Sequence, residues 1–141
     1  MHQDPLPQPQ GHYRTASRIG QIIFTAGITP REKGQLIATG PICSATNLQQ
    51  YAAAARLAAA NALAAAQSKL KNDEQIVQIA CMTVFIATNE NFTQHSKIAD
   101  FSSEHLIKLL GENAICSRAA VGVKTLPGNA SLEITLIAEA G

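Results

Sequence analysis

The chemistry of this chain is most evident at an arginine that stands inside an apolar segment of small residues. Arg118 lies in ICSRAAVGV, between alanines, valines and a glycine. A guanidinium among such short side chains either pairs with an interior carboxylate or faces a cavity, and its fork matches a carboxylate bidentately. Glu133 is the candidate partner, because a turn at Pro127 could place the two segments side by side. Two hypotheses stay open: a structural Arg118–Glu133 ion pair, or an anion-binding cleft in which Glu133 positions a water or a proton.

The remaining titratable and nucleophilic residues form no known catalytic motif. The sequence has no glycine-rich phosphate loop, no HExxH and no GxSxG. Its cysteines are odd in number and widely spaced, which favours buried thiols over a disulfide framework or a zinc knuckle. The histidines are isolated, and we interpret them as structural or solvent-facing. These residues are His2, His12, His95 and His105, with Cys43, Cys81 and Cys116. The sequence therefore predicts no metal site.

Composition and charge narrow the class of protein. The chain has 141 residues, 15% of them charged, and a formal net charge of +1, which fits a single domain over 1–141. A charge near zero gives no electrostatic footprint for nucleic acid. Residues 1–10 are proline-rich and extended and lack the apolar region of a secretory signal, and the alanine-rich segment 51–66 is too weakly hydrophobic to span a bilayer. We expect a soluble, cytoplasmic protein whose charge-poor surface meets another subunit.

Hydrophobic periodicity predicts the elements that would position these residues. We expect turns or loops at 17–20, 29–34 and 127–129. Two helices are predicted, one from Thr46 or Asn47 to about Leu70 and one from about 92 to 110. Strands are predicted at 13–16, 21–26, 35–39, 76–87, 116–123 and 130–139. This order favours an α+β architecture, with one sheet and two helices on one face. The strand at 76–87 is apolar on both faces, which predicts a central position or contact with a partner subunit.

A resemblance to a known family covers residues 6–140. The segment SRAAVGVKTLPGNASLEITLIAEA resembles the C-terminal signature of the reactive intermediate deaminase family, the YjgF-type proteins often labelled endoribonuclease L-PSP. That signature is an arginine in a small-residue strand, about eight residues, then Leu-Pro and a strand carrying a glutamate. GHYRTASRIGQIIFTAGITP, the helix through Asn61 and TVFIATNENF are similar to further parts of the family.

The resemblance implies a fold, an assembly and a reaction. It implies a chorismate-mutase-like α+β fold with a mixed sheet, assembled as a homotrimer with three ligand clefts between adjacent subunits. It also implies the hydrolysis of enamines and 2-imino acids to 2-keto acids and ammonia, without a metal or organic cofactor. The substrate would be a small molecule that carries a carboxylate.

The same resemblance assigns roles to individual positions. Arg118 would hold the substrate carboxylate, Glu133 would be the family's glutamate, Tyr13 its ring-packing tyrosine and Gly27 its strand-ending glycine. Three further positions depart from well-studied members, where serine, asparagine and cysteine stand in place of Ala26, Ser96 and Ala120. The cleft, with Ser96 and Ala120 among its binding residues, is therefore leaner in hydrogen-bonding groups, and the chain resembles a divergent branch of the family.

Two other functions remain as alternatives. A non-enzymatic protein could keep the Arg118 cleft as a carboxylate sensor. An endoribonuclease or translation inhibitor, as the family is often labelled, would need a cationic path for the phosphate backbone, whereas the lysines at 69, 71, 97, 108 and 124 are scattered.

Overall fold

The fold was analysed in a computed structural model, which describes residues 6–43 and 47–141. Three short 3-10 helices occur at Leu48–Tyr51, Gly111–Ala114 and Pro127–Asn129. The regular elements, in chain order, are β1 (Ala16–Ile19), β2 (Ile22–Thr25), β3 (Arg31–Glu32), β4 (Gln35–Leu36), α1 (Ala52–Gln67), β5 (Ile76–Ala87), α2 (His95–Leu110), β6 (Ser117–Val123) and β7 (Leu132–Ala140).

The main sheet has five strands in the order β1-β2-β7-β5-β6, with β5 and β6 parallel and the other neighbours antiparallel. Alternate residues of β7 are buried in the core that α1 and α2 share with the sheet, and the intervening residues of β7 are half-buried. The α+β prediction of a mixed sheet with two helices on one face is therefore confirmed. The central position predicted for 76–87 is also confirmed, since β5 lies between β7 and β6.

The two helices approach each other closely because alanine lines their contact. Most of the buried residues of α1 are alanines, and the Ser102 hydroxyl of α2 donates a hydrogen bond to the Ala55 carbonyl at 2.8 Å. Alanine is a strong helix former that allows such an approach without a side chain in the way. No helix among residues 6–43 and 47–141 is long and apolar enough to cross a membrane.

The boundaries predicted for the first strand and for the turn after it need correction. The predicted strand 13–16 and turn 17–20 are wrong, because the strand is Ala16–Ile19 and the chain turns at Gly20 and Gln21. Gly20 has a φ of 60°, a conformation that glycine adopts without strain and that allows a tight turn between β1 and β2. The turn therefore sits at the glycine, and the residues before it remain in the sheet.

The predicted loop 29–34 and strand 35–39 contain a small hairpin, β3–β4, whose first strand lies inside the predicted loop. Its two turn residues, Lys33 and Gly34, have φ values of 52° and 83°. Positive φ at both central positions is the geometry of a two-residue hairpin turn, which pairs the short strands on either side of it. The hairpin strand ends at Leu36 rather than at 39.

The helix ends differ from the predictions by a few residues. Of the two predicted N-caps of the first helix, Thr46 lies outside the described residues, whereas the Asn47 side chain accepts a hydrogen bond from the Gln49 amide at 3.1 Å. The second helix begins at His95 rather than 92, because the Phe92 amide closes a turn onto the Asn89 carbonyl at 3.1 Å. It ends, as predicted, before Gly111.

An ion pair that the sequence did not indicate ties β1 to the connection between α1 and β5. The Arg18 guanidinium donates to both carboxylate oxygens of Glu74, at 2.6 and 2.8 Å, and also to the Lys69 carbonyl at 2.9 Å. The hydrogen bonds from Arg18 and from the Lys71 amide lower the pKa of Glu74 to about 2.

We expect the Arg18–Glu74 ion pair to make the free energy of unfolding decrease steeply as the pH is lowered. Because the pKa of Glu74 is lowered in the folded chain, its stabilisation is present above the ordinary pKa of 4.5 and is lost as the pH falls towards about 2. Urea midpoints measured across that range should decline less in Glu74→Gln than in the natural chain. Parallel declines in the two proteins would contradict this role.

Candidate functional site

Arg118 lies on the edge strand β6 and reaches towards α2. Its register partner on β5 is Met82, which is buried in the core, so both residues face the helices. One terminal nitrogen of Arg118 donates to Asp100 at 2.8 Å and to the Ser103 hydroxyl at 2.9 Å. The other donates to the Ser96 hydroxyl at 2.7 Å. The guanidinium fork is thus held in a fixed orientation by one face of α2.

The Arg118–Glu133 ion pair left open by the sequence is wrong. β5 lies between β6 and β7, so the two residues are separated by two strand spacings, roughly 10 Å. Glu133 pairs in register with Phe85, and Phe85 pairs with Val121, three residues beyond Arg118. Because side chains alternate between faces, Arg118 and Glu133 point to opposite faces of the sheet. The turn at Pro127 does not place their strands side by side.

Glu133 lies over Gly27 on the sheet face opposite the helices. Ile28 and Ile134 exchange backbone hydrogen bonds of 2.8 Å, which brings the neighbouring Gly27 close to β7. A Cβ atom at Gly27 would overlap the Glu133 carboxyl group, so glycine is what allows that carboxyl group to lie in this position. Burial raises the pKa of Glu133, and no described residue donates a hydrogen bond to its carboxylate. The side chain is therefore a half-buried carboxyl available to a ligand.

Tyr13 and Gly27 line one cavity of about 110 Å³. The cavity lies between segment 6–10, the β3–β4 hairpin and Asn61 of α1. The Tyr13 hydroxyl accepts a hydrogen bond from the Gln10 amide at 3.0 Å, and 47% of the tyrosine surface is exposed. The structure thus brings Tyr13, Gly27 and Glu133 into one region, which we refer to as the glutamate cluster.

Ser96 and Ala120 belong to the other side of the molecule. Ser96 contacts Arg118 directly, and Ala120 follows two residues later on the same face of β6, paired in register with the buried Val84. We refer to Arg118, Ser96 and Ala120, with Asp100 and Ser103, as the arginine cluster. One chain does not bring the arginine cluster and the glutamate cluster together, although each holds part of the set that the resemblance implies.

Sequence reasoning missed Asp100 and Ser103. Ser96, Asp100 and Ser103 recur at the spacing of one helical face, which was a usable signal for a polar surface against the sheet edge. The signal was weak, because the sequence did not reveal that β6 lies at the edge of the sheet.

His95, considered structural from the sequence, packs on Gly122. A Cβ atom at Gly122 would overlap its ring nitrogen, and the ring meets Phe92 edge-to-face at 5.1 Å. Burial raises the pKa of Cys116, which makes its thiol a poor nucleophile. Within 6–43 and 47–141 no group of three or more His, Cys, Asp or Glu residues could hold a metal ion.

The sheet, the covering helices and the two clusters together agree with a known family. The chain belongs to the endoribonuclease L-PSP family, whose model matches residues 4–140. Its structure also has the fold of the E. coli YjgF gene product, with a TM-score of 0.67 at 24% identity over 95% of this chain and 92% of that one. Membership of the YjgF-type family, expected from the resemblance, is thus confirmed.

Two other relatives also cover nearly the whole of this chain. Protein Atu1372 of Agrobacterium tumefaciens, whose function is unknown, is 30% identical, with a TM-score of 0.87 over 94% of this chain and 85% of that one. Protein TCP17 of Trypanosoma cruzi is 25% identical over 132 residues, which is 93% of this chain and 82% of that protein. The greater likeness to Atu1372 than to YjgF agrees with a divergent branch.

Proposed function

We propose that this protein hydrolyses 2-imino acids and their enamine tautomers to 2-keto acids and ammonia, in clefts between the subunits of a homotrimer. The observation that carries the proposal is the half-buried Glu133 carboxyl, which has no hydrogen-bond partner among the described residues and stands over a glycine. The arginine cluster lies on the other face of the sheet, so a complete cleft needs the arginine cluster of one subunit and the glutamate cluster of the next.

The arginine cluster would hold the substrate carboxylate. The Ser96 and Ser103 hydroxyls orient the Arg118 fork, and Asp100 occupies one of its donors. The Asp100 side chain is 55% exposed and that of Arg118 is 20% exposed, so Asp100 can swing into solvent when a substrate carboxylate takes its place. The substrate carboxylate then neutralises the positive charge of the Arg118 guanidinium, as the Asp100 carboxylate did before.

The glutamate cluster would manage the proton. Glu133 accepts a proton from a water as that water forms a bond to the imine carbon, and the C=N electron pair moves onto nitrogen. The protonated Glu133 returns the proton to nitrogen, which gives a carbinolamine. Glu133 then takes the hydroxyl proton of the carbinolamine and passes it to nitrogen, so that the C=O bond forms as the C–N bond breaks and ammonia and the keto acid are released. One water is consumed and no redox change occurs. A carboxyl whose pKa is raised by burial suits a group that both takes and returns a proton.

This role predicts a defined pH dependence. Glu133 must be ionised to accept a proton, and its pKa lies above the ordinary 4.5, so kcat should fall as the pH drops through that raised pKa. Glu133→Gln should lower kcat by roughly 10²–10⁴-fold and remove this acid limb. Both quantities are measured as ammonia release from an imine that an amino-acid oxidase generates in the same reaction.

Glu139→Gln is the matched control, since it makes the same change in the same row of β7. It should keep both the rate and the acid limb. Binding of 2-ketobutyrate without any imine hydrolysis would replace the proposal by the non-enzymatic carboxylate-binding alternative. The net charge of +1 gives no support to RNA as the substrate.

A further inference from the structure

The cavity beside Tyr13 and Gly27 carries positive charge that the proposed chemistry does not use. Its charged lining residues are Arg31 and Lys33, both from the β3–β4 hairpin, and none of its lining residues among 6–43 and 47–141 is Asp or Glu. Glu32, which lies between them in sequence, is not part of the lining. The cavity wall is thus cationic, whereas the chain as a whole is nearly neutral.

Arg31 has no carboxylate partner among the described residues, unlike two other arginines that are tied to the fold. Arg18 pairs with Glu74 and Arg118 pairs with Asp100, whereas Arg31 forms no ion pair with a described residue. One terminal nitrogen of Arg31 donates to the Gly34 carbonyl at 2.8 Å, and its Nε is buried. The other terminal nitrogen is not buried and has no hydrogen-bond partner among the described residues, so it is the group that can donate to a carboxylate of the ligand.

The turn of the hairpin fixes the second cation at the cavity. Lys33 has a φ of 52°, a left-handed conformation that is uncommon for a residue with a side chain. The Arg31 bond to the Gly34 carbonyl closes the same turn from inside. Both charges are therefore presented by one compact hairpin rather than by independent flexible segments.

We infer that Arg31 and Lys33 bind a second acidic group of the ligand, so that the preferred substrates are 2-imino acids with a carboxylate on the side chain. The inference rests on the proposed function. The reacting carbon would lie near Gly27 and Glu133, and the segment from Gly27 to Arg31 spans at most about 14 Å of extended chain.

The test compares two substrates of equal carbon number, 2-iminoglutarate and 2-iminopentanoate, both generated in the assay by oxidation of the amino acid. We expect kcat/KM to favour the dianionic substrate at least tenfold in the natural chain. Arg31→Gln should remove about tenfold of that preference and change the rate for 2-iminopentanoate less than twofold. Lys33→Asn should act in the same direction, because asparagine tolerates the left-handed turn and only the charge is lost.

Lys71→Gln is the matched control, an exposed lysine outside the cavity, and it should leave the preference unchanged. An unchanged preference in Arg31→Gln would overturn the inference while the deaminase activity stands. Absence of turnover on both substrates would overturn the proposed function alone. Calorimetry then decides the inference: glutarate should bind at least tenfold more tightly than pentanoate, and Arg31→Gln should abolish the difference. Equal binding of the two acids would refute the second acidic site.

Discussion

A one-to-one mixture of Arg118→Ala and Glu133→Gln subunits, unfolded and refolded together, should regain about a quarter of the natural rate of imine hydrolysis. Each variant alone should be nearly inactive, since each lacks either the carboxylate anchor or the proton acceptor. In a cyclic assembly a cleft is intact when the subunit that supplies the arginine cluster carries the Glu133 change and its neighbour carries the Arg118 change. Random assembly gives that arrangement at about one cleft in four.

The physical basis of this result is the sheet order. Arg118 on β6 and Glu133 on β7 face opposite sides of the sheet with β5 between them, so no rotamer change within a chain joins them. A mixture of Glu133→Gln with Gly27→Ala is the control, because both changes damage the glutamate cluster and no cleft can be restored. Formation of mixed oligomers is measured with two affinity tags. Mixed oligomers that stay inactive would show that Arg118 and Glu133 do not meet in a cleft between subunits, which would contradict the composite cleft.

The parts of the fold that the sequence predicted well are those whose pattern is local. β5 matches its predicted bounds because a long apolar run between polar turns has few other interpretations. The end of α2 was equally predictable from the sequence, because a glycine, Gly111, follows the last helical turn. Gly111 has a φ of 71° in the structure. The hairpin at Lys33 was missed because positive φ at a lysine is a tertiary outcome that composition does not signal.

The candidate site was predictable from the sequence to a similar extent as the fold. Arg118 was identifiable because a permanent charge among small apolar residues needs a partner or a ligand. The predicted partner of Arg118, Glu133, was wrong. The prediction took strands that follow each other in the sequence to be neighbours in the sheet, whereas β5 separates β6 from β7. The cationic cavity could not be predicted from the sequence for the same reason. Arg31 and Lys33 are typical of a polar loop, and only the folded hairpin places them beside Gly27.

Ala55→Leu should be among the most destabilising substitutions in the chain. Ala55 is fully buried on α1, and its carbonyl accepts the hydrogen bond from the Ser102 hydroxyl of α2 at 2.8 Å. A leucine there has no space unless the two helices separate, which breaks that bond as well. Overpacking of a close-packed core costs about 1–3 kcal/mol, occasionally more, and leaving the Ser102 hydroxyl unpaired in the interior adds about 1–3 kcal/mol.

Ala53→Leu is the matched control, two residues earlier in the same helix and exposed. Because leucine and alanine are both strong helix formers, the exposed change should alter the free energy of unfolding by less than about 0.5 kcal/mol. Urea unfolding of both variants measures the difference. Equal stability of the two variants would mean that α1 can move away from α2 at little cost. A large difference would show that α1 needs alanine at its buried positions because the two helices are close together. The low content of bulky apolar residues would then reflect close packing rather than a weak core.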